Sequence, residues 1–203
     1  MYIPEKYRME DRGRIRAFLE QHAFGILVSE GPDGPLATHL PLELVAGHSG
    51  PWALEGHLAK ANSQWQHLRD GQPVLCIFNG PHAYVSSSWY GEEEVPTWNY
   101  QAVHLRGIYR RQSEAELMAS LHRLVDKYER DSEQPVSLHQ LSPATLRQVK
   151  GIVGFRIEAV QVEAAYKLSQ GRETDHARIT AELEKRGGLS AAVARAMKDQ
   201  PGI

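Results

Sequence analysis

Apolar positions along the chain change period more than once, and the changes mark out its elements. From Asp11 to about His22, Ile15, Phe18 and Leu19 fall on one helical face, and Asp11 stands where an N-cap carboxylate accepts the first free amides. The spacing predicts a short amphipathic helix. Residues 24–30 and 37–45 then read as strands around the turn Gly31-Pro32-Asp33-Gly34, which predicts a hairpin. Pro41 removes a ladder donor and so marks an edge or a bulge. A turn at 46–51 leads into a strand at 52–58, and 59–70 reads as a short helix capped by Asn62, with Trp65 and Leu68 facing inward. Residues 73–80 are apolar on both faces, as in a buried central strand. Residues 83–90 and 95–109 continue the strand pattern. Connections this short exclude crossover helices, so the sheet is predicted to be antiparallel, as a barrel or a sandwich.

The second half changes to helical spacing. Ser113 and Glu116 form a capping box, and Leu117, Met118, Leu121, Leu124, Val125 and Tyr128 repeat on one face as far as about Arg130. A loop at 129–137 precedes Ser142-Pro143, an N-cap and first-turn proline that open a short helix ending near Lys150. Residues 152–166 alternate as one more long strand. Helices are predicted at 175–186 and 191–197, separated by Gly187-Gly188. No repeat or linker intervenes, so residues 1–203 read as one α+β domain with residues 172–203 as a helical C-terminal extension.

Composition narrows the function classes. A formal net charge of -2 and a pI near 6.6 supply no general positive field for nucleic acid or anionic lipid. No window approaches the roughly 20 apolar residues of a membrane span, and the N-terminus lacks the apolar core of a signal peptide, so a cytoplasmic protein is expected. The single cysteine, Cys76, lies in an apolar strand and reads as buried filler. Ten histidines are scattered without metal-ligand spacing.

Nucleotide and nucleophile motifs are absent: there is no P-loop, no GxGxxG and no GxSxG. Ser86, Ser87 and Ser88 read as a loop, and Glu92, Glu93 and Glu94 as a solvated edge. The C-terminal helix pair has the outline of a helix-turn-helix. From Arg172 to Asp199, however, six basic residues face five acidic ones, and the second helix offers Ala and Val where base readers are needed.

Four strings carry a resemblance: MYIPEKY at 1–7, ATHLPL with GHLAKAN at 37–42 and 56–62, GPHAYVSSSWY with VPTWNY between 80 and 100, and KLSQGR at 167–172. Together they resemble the PaiB family, also described as FMN-binding negative transcriptional regulators, within the flavin-binding split β-barrels related to pyridoxamine-phosphate oxidase. The resemblance implies an antiparallel split barrel with flanking helices, a homodimer with FMN between its subunits, and repression of genes through DNA or a regulatory protein partner. Two positions depart from the family pattern: Gly171 stands where KLSQNR is common, and Ser88 follows Ser87 where PSWY is common.

A flavin mononucleotide needs a slot for a flat ring, a few edge hydrogen bonds and a cradle for a near-dianionic phosphate. Ala59, Lys60 and Asn62 open the short helix, where free amides and a positive dipole end suit an anion; Asn62 as a plain cap beside a solvated lysine is the alternative. Lys167, Gln170 and Arg172 supply a second polar cluster. Thr38, His39 and Leu40 precede Pro41 on a strand with unpaired backbone, and His57 follows Gly56. Trp98 and Asn99 offer a flat surface and an amide, for the ring or for a subunit contact. A nicotinamide-dependent flavin oxidoreductase is the second functional reading, and a haem protein with His39, His57 or His104 as axial ligand the third.

Overall fold

Eight strands and six α-helices occupy the residues described by the computed structural model, 1–48, 50 and 52–200. The strands are β1 (Arg8–Met9), β2 (Phe24–Gly31), β3 (Gly34–Pro41), β4 (Glu43–Val45), β5 (Ala53–Ala59), β6 (Pro73–Val85), β7 (Thr97–Arg111) and β8 (Ile152–Lys167). The helices are α1 (Arg12–Gln21), α2 (Gln64–His67), α3 (Glu114–Tyr128), α4 (Pro143–Leu146), α5 (His176–Arg186) and α6 (Gly188–Lys198). The sheet order is β3-β2-β6-β7-β8-β5-β4, with β1 paired to β8. The α+β antiparallel architecture read from the sequence is therefore the observed one. The turn expected at 46–51 includes Ser49 and Pro51, and the C-terminal extension ends in 201–203; these positions lie outside the described residues.

Contacts divide the chain into two compact units. The first comprises Met1–Phe18, Phe78–His104 and the described part of Glu163–Ile203; the second comprises Leu19–Ile77 and Leu105–Val162.

In the second unit, β2 and β3 form the expected hairpin, paired from Phe24 opposite Pro41 to Gly31 opposite Gly34. β2 also pairs with β6, and β5 joins β4 to β8, with His57 opposite Gly154. β3 closes one edge of the sheet, where Pro41 leaves no central ladder position unpaired. Leu27, Leu54, Cys76, Tyr109, Phe155 and Ile157 fill the core, and Tyr109 packs on Phe155 with ring centroids 5.7 Å apart. Burial pushes the Cys76 thiol far above its usual range, so it is the inert filler that its apolar surroundings suggested. α3 starts at the expected capping box and lies over Gly154, where a β-carbon would stand 2.7 Å from Leu117 Cδ1.

In the first unit, Asp11 Oδ1 accepts the Arg14 amide at 3.1 Å, which is the expected cap of α1. Phe18 of that helix sits against Gly80, where any β-carbon would lie 2.5 Å from its ring. α5 and α6 bury Ile179, Leu183, Val193 and Met197. The apolar residues that made α6 a poor reader of bases are therefore used for packing.

Several boundaries differ from the expectation. Residues 37–45 break at Leu42, whose amide donates to Ala23 O at 2.8 Å and so carries the β2–β3 register one residue past the end of β3. α2 is a single turn, and Gln64, 2% exposed, occupies its inward position together with Leu68 while Trp65 is half-buried. The helix begun at Pro143 tightens after Leu146 into a 3-10 turn, and α6 begins at Gly188 instead of 191.

Candidate functional site

The second unit brings Thr38, Asn62 and Gln64 into one hydrogen-bonded chain. Asn62 Nδ2 donates to Thr38 Oγ1 at 2.9 Å, and Thr38 Oγ1 donates to Gln64 Oε1 at 2.5 Å. Asn62 Oδ1 accepts the Gln64 amide at 2.9 Å, so Asn62 caps α2 from the position before Ser63. Gln64 Nε2 reaches across β2 to Ser29 Oγ at 2.9 Å and Leu27 O at 3.2 Å. Every polar atom of the buried Gln64 amide is satisfied, which is what a buried polar group requires.

This network fixes the turn from Ala59 to Ser63. Asn62 N donates to Ala59 O at 2.9 Å, Lys60 N to Gly151 O at 2.8 Å, and Trp65 Nε1 to Lys60 O at 2.9 Å. Lys60 is exposed, and its ammonium makes no hydrogen bond or ion pair among the described residues. The outcome is an uncommitted cation on a braced backbone, beside the exposed Ser63 hydroxyl. That donor set fits a phosphate dianion. The helix dipole adds little, because α2 is one turn long and its first amide is already taken by Asn62.

The other candidates of this unit stand apart from that network. His39, the neighbour of Thr38, points to the opposite face of β3 and stacks on the exposed ring of Phe24 with centroids 6.3 Å apart. Leu40 is buried, so only its backbone is open to a ligand. Opposite His57, the missing β-carbon of Gly154 leaves room for Gln112 and Leu117, which places His57 on the face covered by α3. Burial lowers the His57 pKa, because desolvation disfavours the charged ring. Gly56 is small for packing: a β-carbon there would lie 2.8 Å from Phe155 Cζ and 3.0 Å from Pro41 O.

In the first unit, the remaining candidates each have partners. Lys167 Nζ donates to Thr97 Oγ1 and lies 5.6 Å from the centre of the Tyr7 ring. Gln170 closes its own turn, accepting from Leu168 N at 2.9 Å and donating to Tyr166 O at 2.6 Å. Arg172 pairs with Glu94 and stacks 4.6 Å over Tyr90. Asn99 is fully buried, donating to Ser169 Oγ at 2.8 Å, and its Oδ1 has no hydrogen-bond partner among the described residues. Trp98 is 49% exposed beside His82 and Tyr84, with ring centroids 5.8 and 6.2 Å away. Trp89 and Tyr90 are buried.

Gly171 has φ +81 and open space around its missing β-carbon. A left-handed backbone accounts for the residue, since glycine and asparagine are the two side chains that best tolerate it. Gln64 is the functional residue that sequence reasoning missed. Its i, i+4 spacing to Leu68 was the available signal, because it places an amide in the inward row of α2.

Comparison with known proteins adds three findings. Residues 1–161 match the family described as "Putative FMN-binding domain". The chain is 40% identical over 203 residues to "Protease synthase and sporulation protein PAI 2" of Bacillus subtilis (strain 168), covering 98% of both chains. In fold, it is similar to the FAD and heme binding protein from Mycobacterium smegmatis, with TM-score 0.61, 14% identity, and 79% and 73% of the two chains covered. The flavocytochrome Anf3 from Azotobacter vinelandii gives TM-score 0.62 at 13% identity, over 79% and 69% of the chains.

Proposed function

This chain belongs to the PaiB family of FMN-binding split-barrel proteins, and from that premise we propose that it binds FMN as a homodimer and acts as a negative regulator of gene expression that responds to its flavin. The observation that carries the flavin reading is Lys60: an unpaired ammonium on a turn made rigid by Thr38, Asn62 and Gln64. Lys60 and Ser63 hold the phosphate. When bound, FMN supplies a reversible electron acceptor; the chain's own residues bind and orient it. The half-exposed rings of Tyr84 and Trp98 in the first unit form the aromatic surface that a second subunit covers.

Regulation is supported by the relative, whose name ties it to protease synthesis and sporulation. No helix of the described residues is long and apolar enough to cross a membrane. The cations of α5 and α6 are largely engaged within the unit: Lys185 with Glu182, Lys198 with Glu184, and Arg186 over Trp89. Repression therefore runs through a partner or through a surface other than this helix pair.

Purified protein should be yellow, dimeric, and lose FMN on Lys60→Ala. Colourless protein that ignores added FMN overturns the reading. Rapid bleaching of the flavin by NADH or NADPH under anaerobic conditions would replace the regulator with an oxidoreductase, and a Soret band would replace both with a haem protein.

A further inference from the structure

We infer that the stacked imidazoles of His122 and His139 form a pH-sensitive latch on residues 129–151, and through Gly151 on the Lys60 turn. His122 lies on α3, and His139 on the 3-10 turn Leu138–Gln140. Their ring centroids are 4.2 Å apart with the planes 26° from parallel, and His122 Nδ1 is buried without a hydrogen-bond partner among the described residues. Residues 129–151 bury no side chain completely, and their side-chain hydrogen bonds are local ones: Ser137 with Gln140, Ser142 with Thr145, and Glu129 with Val136 N. A segment with so few buried contacts opens at low free-energy cost. The imidazole stack, with His139 exposed, is thus one tie between this segment and α3.

The tie holds only while the rings are not both charged. Two imidazolium ions at this separation repel, and a proton on Nδ1 of His122 would be a buried donor with no acceptor. Acidification relieves both by separating the rings. The charged groups on the packed elements leave this intact. On α3 these are Glu114 and Glu116 in its first turn, Arg123, which is bound to Glu55, Asp126, one turn beyond His122, and Lys127, which is bound to Glu43. On β5 they are Glu55 itself and His57, whose pKa burial lowers, and in the segment they are Glu129, Arg130, Asp131, Glu133, Arg147 and Lys150. None is hydrogen-bonded to either ring among the described residues.

The segment ends at Gly151, whose carbonyl accepts Lys60 N at 2.8 Å. Opening therefore frees the backbone under Lys60, and acid pH releases the phosphate. That consequence rests on the phosphate reading above; the latch itself does not.

Hydrogen exchange of the full chain tests the latch. Between about pH 7.5 and about pH 5.5, corrected for intrinsic exchange, peptides from 129–151 should lose protection about five-fold or more, and in His139→Phe, which stacks but takes no proton, they should not. No loss in the wild type, or an equal loss in His139→Phe and His139→Gln, overturns the latch. FMN release, followed by recovery of flavin fluorescence, should accelerate in acid in the wild type alone. If the segment opens and FMN retention does not follow, the latch stands and the phosphate assignment falls.

Discussion

Asn62 and Thr38, far apart in sequence, are joined by a hydrogen bond of 2.9 Å from Nδ2 to Oγ1, which ties the turn before α2 to the edge strand β3. The same asparagine caps Gln64, so one side chain sets both the position and the rigidity of the backbone that presents Lys60. Loss of Asn62 and loss of Lys60 should therefore differ. Asn62→Ala removes a cap and leaves Thr38 without its donor, and is expected to lower stability by about 1 kcal/mol and to weaken FMN at least about ten-fold. Lys60→Ala removes only the exposed cation, so it should weaken FMN with a change in stability within about 0.5 kcal/mol. Urea unfolding of the apoprotein and titration with FMN separate the two effects.

Arg156 is the centre of a buried ionic network. Its guanidinium donates to Glu55 at 2.9 Å, to Glu158 at 2.6 Å and to the Ala46 carbonyl, while Glu55 also takes Arg123. Arg156 and Glu55 are each 6% exposed. Removing Arg156 leaves the buried Glu55 with the half-exposed Arg123 alone and takes the guanidinium from Glu158, so Arg156→Met is expected to cost about 3 kcal/mol in urea unfolding. Glu55→Gln combined with Arg156→Met should cost less than the two single changes added together, because neither residue is then left charged alone.

The sequence made some of this legible and concealed the rest for physical reasons. The capping box at Ser113 and Glu116, the Asp11 cap and the β2–β3 hairpin depend on local chemistry, and each stands where its residues placed it. β4 was not separable from β3, because the two differ in partner, β2 for one and β5 for the other, and a change of partner strand is a long-range event that no local pattern contains. At the candidate site, Lys60, Asn62 and Thr38 were visible as residue types. Their linkage through Gln64 was not: spacing to Leu68 turns its amide inward, but the partners it meets, Thr38 and Ser29, come from strands distant in sequence. His57 was grouped with them because it follows Gly56; its register opposite Gly154 sets it on the face covered by α3.

Glu116 couples the start of α3 to pH. The Arg110 guanidinium first, and the Ser113 amide and hydroxyl second, hold its carboxyl down at about 2. A carboxylate whose folded pKa is depressed contributes its full stability above the ordinary range of about 4.3, and loses it as pH falls from there to about 2. Its side chain is 42% exposed, so after screening the contribution is about 1 kcal/mol. Glu116→Gln should lower stability by about that amount at neutral pH and flatten the acid limb between about pH 4.5 and about pH 2. Thermal unfolding of both proteins across that range measures the difference.

Gly171 separates a backbone requirement from a ligand requirement. Its φ of +81 is costly for any side chain with a β-carbon, yet nothing lies within 4 Å of where that carbon would stand. Strain, without a clash, is therefore the whole penalty, and Gly171→Ala is expected to cost about 1 kcal/mol. Asparagine enters the left-handed region more readily than alanine, so Gly171→Asn should cost visibly less. Two residues earlier, Ser169 already holds φ 63 while receiving the Asn99 amide at 2.8 Å, so strain in this turn should be transmitted to a buried side chain. If FMN affinity falls with Gly171→Ala in proportion to stability and recovers in Gly171→Asn, the glycine serves the turn. An FMN loss that is equal in both variants would instead require close approach of the ligand to the Gly171 backbone.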